Sequence, residues 1–166
     1  MNQAINFFWT TLCFGPVIIC WCFADSLAPC YWFLAVGFLC LFIPMRWLQL
    51  SDKPAFYTGL GIKLFRKFVQ NGDYVNRAIR KSNPAHRVIK GRQGPASYMK
   101  TLAMYHAYHF GCLVFFTLTA IHAFIQGQYL FAMLIIPANT LYNIYPIFLQ
   151  QYNRARVAKV TGRQTI

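Results

Sequence analysis

The sequence predicts an all-α integral membrane protein with about four transmembrane helices and a basic, interfacial helical insertion between the second and third. Three observations predict it. Of the 166 residues, 57% are hydrophobic and 18% aromatic, more than a soluble domain of this length carries. Hydrophobic runs near the ~20 residues that cross a bilayer recur at 5–23, 31–48, 101–126 and 129–149. All 16 Lys and Arg fall in two blocks, twelve between Arg46 and Lys100 and four after Gln150.

The run 5–23 has no basic residue before it, so it lacks the n-region of a secretory signal and reads as a retained helix. The linker Ala24–Cys30 holds Asp25, the one acid among the first 45 residues. Leu27-Ala28-Pro29-Cys30 has the outline of a lipoprotein cleavage site, but proline before the cysteine argues against processing. The run 31–48 contains Pro44 and ends at Arg46, so it either crosses or turns back. In the insertion, 49–100, the stretch Tyr57 to Gln70 sets Leu60, Leu64, Phe65, Phe68 and Val69 against Lys63, Arg66 and Lys67, the pattern of a helix lying in the membrane interface. Asn71-Gly72-Asp73 reads as a turn, Tyr74 to Lys81 as a second short helix ending before Asn83-Pro84, and Lys90 to Pro95 as a loop. His86 reads as a solvated surface residue. Ser97 is the expected N-cap of the third span. A tight connection near Gly127 makes the spans 101–126 and 129–149 antiparallel neighbours, and 150–166 is a tail.

With four crossings the N-terminus, the insertion and the C-terminal tail share one side, and every basic residue is on it. The positive-inside rule makes that side cytoplasmic, with both termini on it, in a multi-pass, single membrane domain over 1–166. Three crossings would divide the basic blocks between the two faces. The net charge of +13 therefore reads as topology and headgroup contact, not nucleic-acid binding. The expected partners are membrane lipids, a lipid-linked substrate and other membrane proteins. The six cysteines lie in or beside the spans; Cys20-Trp21-Cys22 has the wrong spacing for a zinc pair, and reduced thiols acting as small apolar residues are expected.

Two polar sets stand out in the spans. At 100° per residue Asn139, Asn143, Pro146, Gln150 and Arg154 share one stripe of the last helix, with Asn153 at its edge. Each buried amide there must find a partner or cost a few kcal/mol. The third span carries His106 and His109, three apart and so on one face. Counting 1.5 Å per residue from the membrane edge puts His109 about 13 Å and Asn143 about 10 Å deep, so the two sets should meet. Either these groups hydrogen-bond one another and hold the helices together, or one histidine works as an acid/base. Haem is disfavoured because His122 lies about 140° around the helix from His109, near the far surface, and no other span has a histidine. A metal is disfavoured because the chain has no glutamate and its three aspartates lie elsewhere. Arg154 and Arg156, just past the membrane edge, either anchor the topology or grip a phosphate or carboxylate.

The run Asn143-Ile-Tyr-Pro146-Ile-Phe-Leu-Gln150-Gln-Tyr152-Asn153-Arg154-Ala-Arg156 resembles the C-terminal signature of the glycosyl-4,4'-diaponeurosporenoate acyltransferase family, small membrane proteins of staphyloxanthin-type carotenoid biosynthesis. Leu60-Gly61-Ile62-Lys63-Leu64-Phe65-Arg66-Lys67 and Asn71-Gly72-Asp73-Tyr74-Val75-Asn76-Arg77 are similar to its juxtamembrane block, so the resemblance covers about residues 57–158. Family members often carry a glutamate where this chain has His106. The resemblance implies transfer of a fatty acyl group to a hydroxyl of a glycosylated carotenoid or another glycolipid-like acceptor. It implies no bound cofactor, with acyl-CoA or a similar acyl donor as co-substrate. On that reading His109 is the base, His106 orients or tunes it, and Asn143 donates to the oxyanion. Asn139, Gln150, Asn153, Arg154, Arg156, Asn71 and Arg77 are then the substrate-binding candidates. A non-catalytic small subunit of a larger membrane complex is the alternative, its polar helix face binding a partner helix or a lipid.

Overall fold

The computed structural model describes residues 2–69, 74, 77, 81 and 95–161, and among them every regular element is helical, with no strand. Helix α1 is Asn2–Cys22 and α2 is Ala28–Cys40. A 3-10 turn at Met45–Leu48 is followed by two short helices, α3 at Pro54–Gly59 and α4 at Ile62–Phe65. Helix α5 is Pro95–Ile125, and α6, Tyr129–Asn139, continues through a π turn, Thr140–Ile144, into α7, Tyr145–Thr161. Three stretches are long and apolar enough to cross a membrane: Gln3–Cys22, Ala96–Ile125 and Tyr129–Val160. The chain is a membrane protein.

The run 31–48, expected either to cross or to turn back, holds a shorter helix than its length allows. Its helix begins earlier, at Ala28, and has only 13 residues, about 20 Å against a hydrocarbon core of about 30 Å. Pro44 is the cause, because the residue before a proline is pushed out of helical geometry. The chain tightens into i→i−3 bonds from Leu41, Phe42 and Ile43 to Phe38, Leu39 and Cys40, and then extends at Pro44. It continues to the level of Gln151, whose side-chain Nε2 donates to the Leu48 carbonyl at 2.8 Å. Helix α2 lies against α5 at two glycines that touch backbone to backbone. A Cβ on Gly111 would stand 2.7 Å from the Gly37 carbonyl oxygen, and one on Gly37 would stand 2.9 Å from that of Gly111.

Other boundaries shift for local reasons. The third span starts at Pro95, so Ser97 lies inside the helix and does not cap it. Its C-terminus closes as expected at Gly127, φ 73°, where Gln128 N–H reaches the Ala123 carbonyl and Gly127 N–H that of Phe124. The tail is helical to Thr161. The single interfacial helix expected over Tyr57–Gln70 is two pieces, because Gly61 turns left-handed at φ 79°. Tyr57 and Ile62 are enclosed against Leu149 and Tyr152 of α7, while Leu60, Leu64 and Phe68 stay exposed. The Trp9 indole N–H donates to the Phe68 carbonyl at 3.4 Å, so the start of α1, the insertion and α7 lie at one end of the bundle. Of the expected insertion features, the Asn71–Asp73 turn, Asn83-Pro84, His86 and the loop from Lys90 lie outside the described residues; Tyr74, Arg77 and Lys81 are helical.

The apolar core joins α1, α5 and α6 through Val17, Trp21, Phe116, Ala123 and Ile135. At the end away from the basic residues, His122 stacks on Trp21 at 5.1 Å and meets Phe33 edge-on. All six cysteines are free thiols; Cys13 and Cys20 are buried, whereas Cys22 is exposed.

Candidate active site

One proline shapes the helix that carries the amides. Pro146 has no N–H, and its ring collides with the carbonyl four residues back, that of Tyr142. The chain widens into a π turn, closed by Tyr145 N–H on the Thr140 carbonyl. Such a turn inserts one residue into the helical register. Everything beyond it is therefore displaced by one position from the uninterrupted stripe. Gln151, 1% exposed, takes the inward place that straight 100° counting assigns to Gln150, which is half-buried. Arg154 remains buried, Asn153 is half-buried, and Arg156 is exposed with its guanidinium 5.5 Å over the Tyr152 ring.

The upper part of the stripe meets α5. Asn139 donates from Nδ2 to the Leu113 carbonyl at 3.2 Å and to Thr117 Oγ1 at 3.0 Å. A carbonyl only accepts, so the amide nitrogen faces it and Asn139 Oδ1 faces the other way. Asn143, fully buried, donates from Nδ2 to that Oδ1 at 2.8 Å. Its own Oδ1 is thereby turned to His109 Nδ1 at 3.4 Å. An amide oxygen opposite Nδ1 puts the neutral ring's proton there and leaves the lone pair on Nε2; the Tyr142 backbone also bonds the ring. Tyr108 and Tyr142 flank the ring at 5.1 and 5.6 Å between centroids. The Tyr142 hydroxyl lies 3.0 Å from Thr10 Oγ1 of α1 and 3.5 Å from the Tyr108 hydroxyl.

His106 has different company. Gln151 donates from Nε2 to the Leu48 carbonyl and lies 3.1 Å, through the same nitrogen, from His106 Nε2. Its Oε1 accepts from Tyr57 Oη at 3.0 Å and from Leu50 N–H at 3.3 Å. With both ends anchored, the amide cannot turn. His106 Nε2 must accept, so the proton is on Nδ1, which is buried and has no acceptor among the described residues. Both histidines are thus held in the same tautomer, with the proton on Nδ1. The single Tyr57 O–H is shared between Gln151 Oε1 and the Ser51 carbonyl at 2.8 Å, and its oxygen accepts from Gln49 Nε2 at 2.9 Å and from Ser51 N–H at 3.0 Å. Burial pushes its phenol above the ordinary range.

The expected residues therefore separate. His109, Asn143 and Asn139 come together as one hydrogen-bonded row. His106 joins Gln151, with no hydrogen bond to His109 among the described residues. Asn143 sits behind His109 with an amide hydrogen committed to Asn139, so it orients the imidazole and is not aimed at an oxyanion. Asn139 is a clamp between helices, its amide committed to Leu113, Thr117 and Asn143. Arg77 is exposed, and no contact joins it to this face among the described residues. Asn71 lies outside the described residues. Sequence reasoning missed Gln151, Tyr57 and Gln49; the signal for Gln151 was Pro146 itself, which forbids a regular helix through the stripe.

Against known proteins, the model of the glycosyl-4,4'-diaponeurosporenoate acyltransferase family matches residues 41–163. No curated protein and no solved structure matches. The match includes the α5–α7 face, His106, His109 and the 3-10 turn, and leaves out α1 and α2. This chain belongs to that family.

Proposed function

We propose that this member of the glycosyl-4,4'-diaponeurosporenoate acyltransferase family transfers a fatty acyl group from an activated thioester to a hydroxyl of a glycosylated carotenoid. The observation that supports the reading best is the row Leu113 carbonyl, Asn139, Asn143, His109, which leaves His109 Nε2 as an unprotonated base inside a membrane bundle. The acceptor hydroxyl gives its proton to Nε2 as its oxygen attacks the acyl carbonyl carbon. The carbonyl electron pair moves onto oxygen, where a donor is needed. His106 offers one: its Nδ1–H has no acceptor among the described residues, and an acyl oxygen would satisfy it. Collapse expels the thiolate, which recovers the proton from His109, and the ester is formed. Cys112, one turn beyond His109, is engaged by Tyr108, which favours direct transfer over an acyl-enzyme.

The basic end of the bundle, carrying Arg46, Arg154 and Arg156, faces the cytoplasm on the positive-inside rule, in the bacterial inner membrane. The test is reconstitution. Purified protein in lipid nanodiscs, given a radiolabelled fatty acyl thioester and a glycosylated carotenoid, should yield labelled ester. No ester, together with a stoichiometric protein partner retained through purification, would overturn the enzyme reading.

A further inference from the structure

A cleft of about 400 Å³ opens between the segment 46–52 and α7, walled by Arg46, Trp47, Gln49, Ser51, Asp52 and Arg154. Its walls are fixed by the Gln151 network: Gln151 holds Leu48 and Leu50, and Gln49 Nε2 donates to the Gln151 carbonyl at 3.3 Å. Arg154 is only 9% exposed and makes no hydrogen bond or ion pair among the described residues. The side chain lines the cleft, so its guanidinium is open to an anion held there. Gln49 Oε1 is likewise buried without a donor among the described residues. Asp52 and Arg46 are both exposed, one carboxylate against two guanidinium groups. Trp47, 71% exposed beside them, has the amphipathic ring that marks the headgroup level.

We infer that this cleft binds the phosphate-bearing head of the acyl donor, with Arg46 and Arg154 gripping the phosphate from two chain segments and the acyl chain running into the bilayer beside Trp47. Planar guanidinium groups converging from separate elements suit phosphate oxygens better than a single cation does. The buried Gln49 oxygen suits a hydroxyl or amide N–H of the same head. Gln151 links this cleft to His106, so a donor held here presents its acyl carbonyl toward the histidines; to that extent the inference rests on the acyl-transfer reading. Arg156, over the Tyr152 ring, is not part of it.

Two sources share this chemistry, a soluble thioester on a phosphorylated carrier and a membrane glycerophospholipid. The test is equilibrium binding by full-length protein in nanodiscs, which needs no turnover. One arm uses a non-transferable thioether of palmitate and coenzyme A in phosphatidylcholine discs. The other compares the phospholipid retained from mixed phosphatidylglycerol and phosphatidylcholine. In whichever arm binds, R46A and R154A should each weaken binding about tenfold or more, and added salt should weaken it further. K159A, an exposed charge away from the cleft, should bind as wild type, and H109A should bind normally while failing to transfer. R46A is exposed and should fold even where R154A does not. Undiminished binding by R46A, or no binding in either arm, overturns the inference; tight binding by wild-type protein that transfers nothing overturns the acyl-transfer reading instead.

Discussion

Replacing Gln151 by leucine tests the register shift on which the site geometry depends. The change removes an acceptor from the Tyr57 hydroxyl and Leu50 N–H, and a donor from the Leu48 carbonyl and His106 Nε2. The losses are unequal. Tyr57 keeps the Ser51 carbonyl, and water can reach the partly exposed segment at Leu48 and Leu50. His106 is fully buried, so its Nε2 is orphaned, which by itself costs about 1–3 kcal/mol. Adding the smaller net loss of the hydrated bonds gives about 3 kcal/mol for Q151L. On the usual scaling for chains of this size, that lowers the melting temperature by about 6–12 °C. The partly exposed neighbour supplies the control, since Q150L should stay within about 0.5 kcal/mol of wild type. The assay is thermal unfolding in one detergent, followed by helical circular dichroism. Equal losses in Q150L and Q151L, or a larger loss in Q150L, would mean that the helix runs through 140–144 without the inserted residue.

Four further outcomes are expected. G111A places a Cβ 2.7 Å from the Gly37 carbonyl oxygen and from Leu41 Cδ2, so it should cost about 1–3 kcal/mol; an unchanged melting temperature would contradict the α2–α5 contact. N139L frees the Asn143 amide to turn, so acyl transfer should fall about 10- to 100-fold, as for other lost orienting partners, and the histidine nitrogen spectrum should show His109 losing its Nδ1–H form. Burial raises the Tyr57 phenol above its ordinary value of 10.0, so its neutral form stabilises the fold below pH 10.0 and that contribution is lost as pH rises through the folded-state value. The stability difference between wild type and Y57F should therefore be constant below pH 10.0 and shrink above it. Finally, cysteines introduced at Lys159 and Asp25 in a background without native thiols should react with an impermeant maleimide from opposite faces, Lys159→Cys from the cytoplasm; the reverse pattern would invert the proposed orientation.

Much of the fold is legible because its causes are local and strong. Long apolar runs, a glycine suited to a left-handed cap at Gly127, and charge confined to two blocks give the helices and place the insertion. The meeting of His109 with Asn143 follows from depth counting along antiparallel neighbours. The failures share a cause: breakers acting within a periodic pattern. Pro44 shortened α2, Gly61 divided the interfacial helix, and Pro146 moved the inward amide from Gln150 to Gln151. Roles were harder to read than positions. Asn143 looks like a donor in the sequence, and only the Leu113 carbonyl, two hydrogen bonds away, shows that its oxygen is turned to the histidine. The Tyr57 and Gln49 contacts to α7 are long-range, and nothing local announces them.

The central claim is that His109 Nε2 removes the acceptor's proton. The direct measurement is the transfer rate of H109A in nanodiscs, with folding verified by its melting temperature and by unchanged binding of the thioether analogue. Loss of a positioned general base should lower kcat about 10²- to 10⁴-fold, with KM for the thioester little changed. A folded, ligand-binding H109A that transfers at the wild-type rate would contradict it.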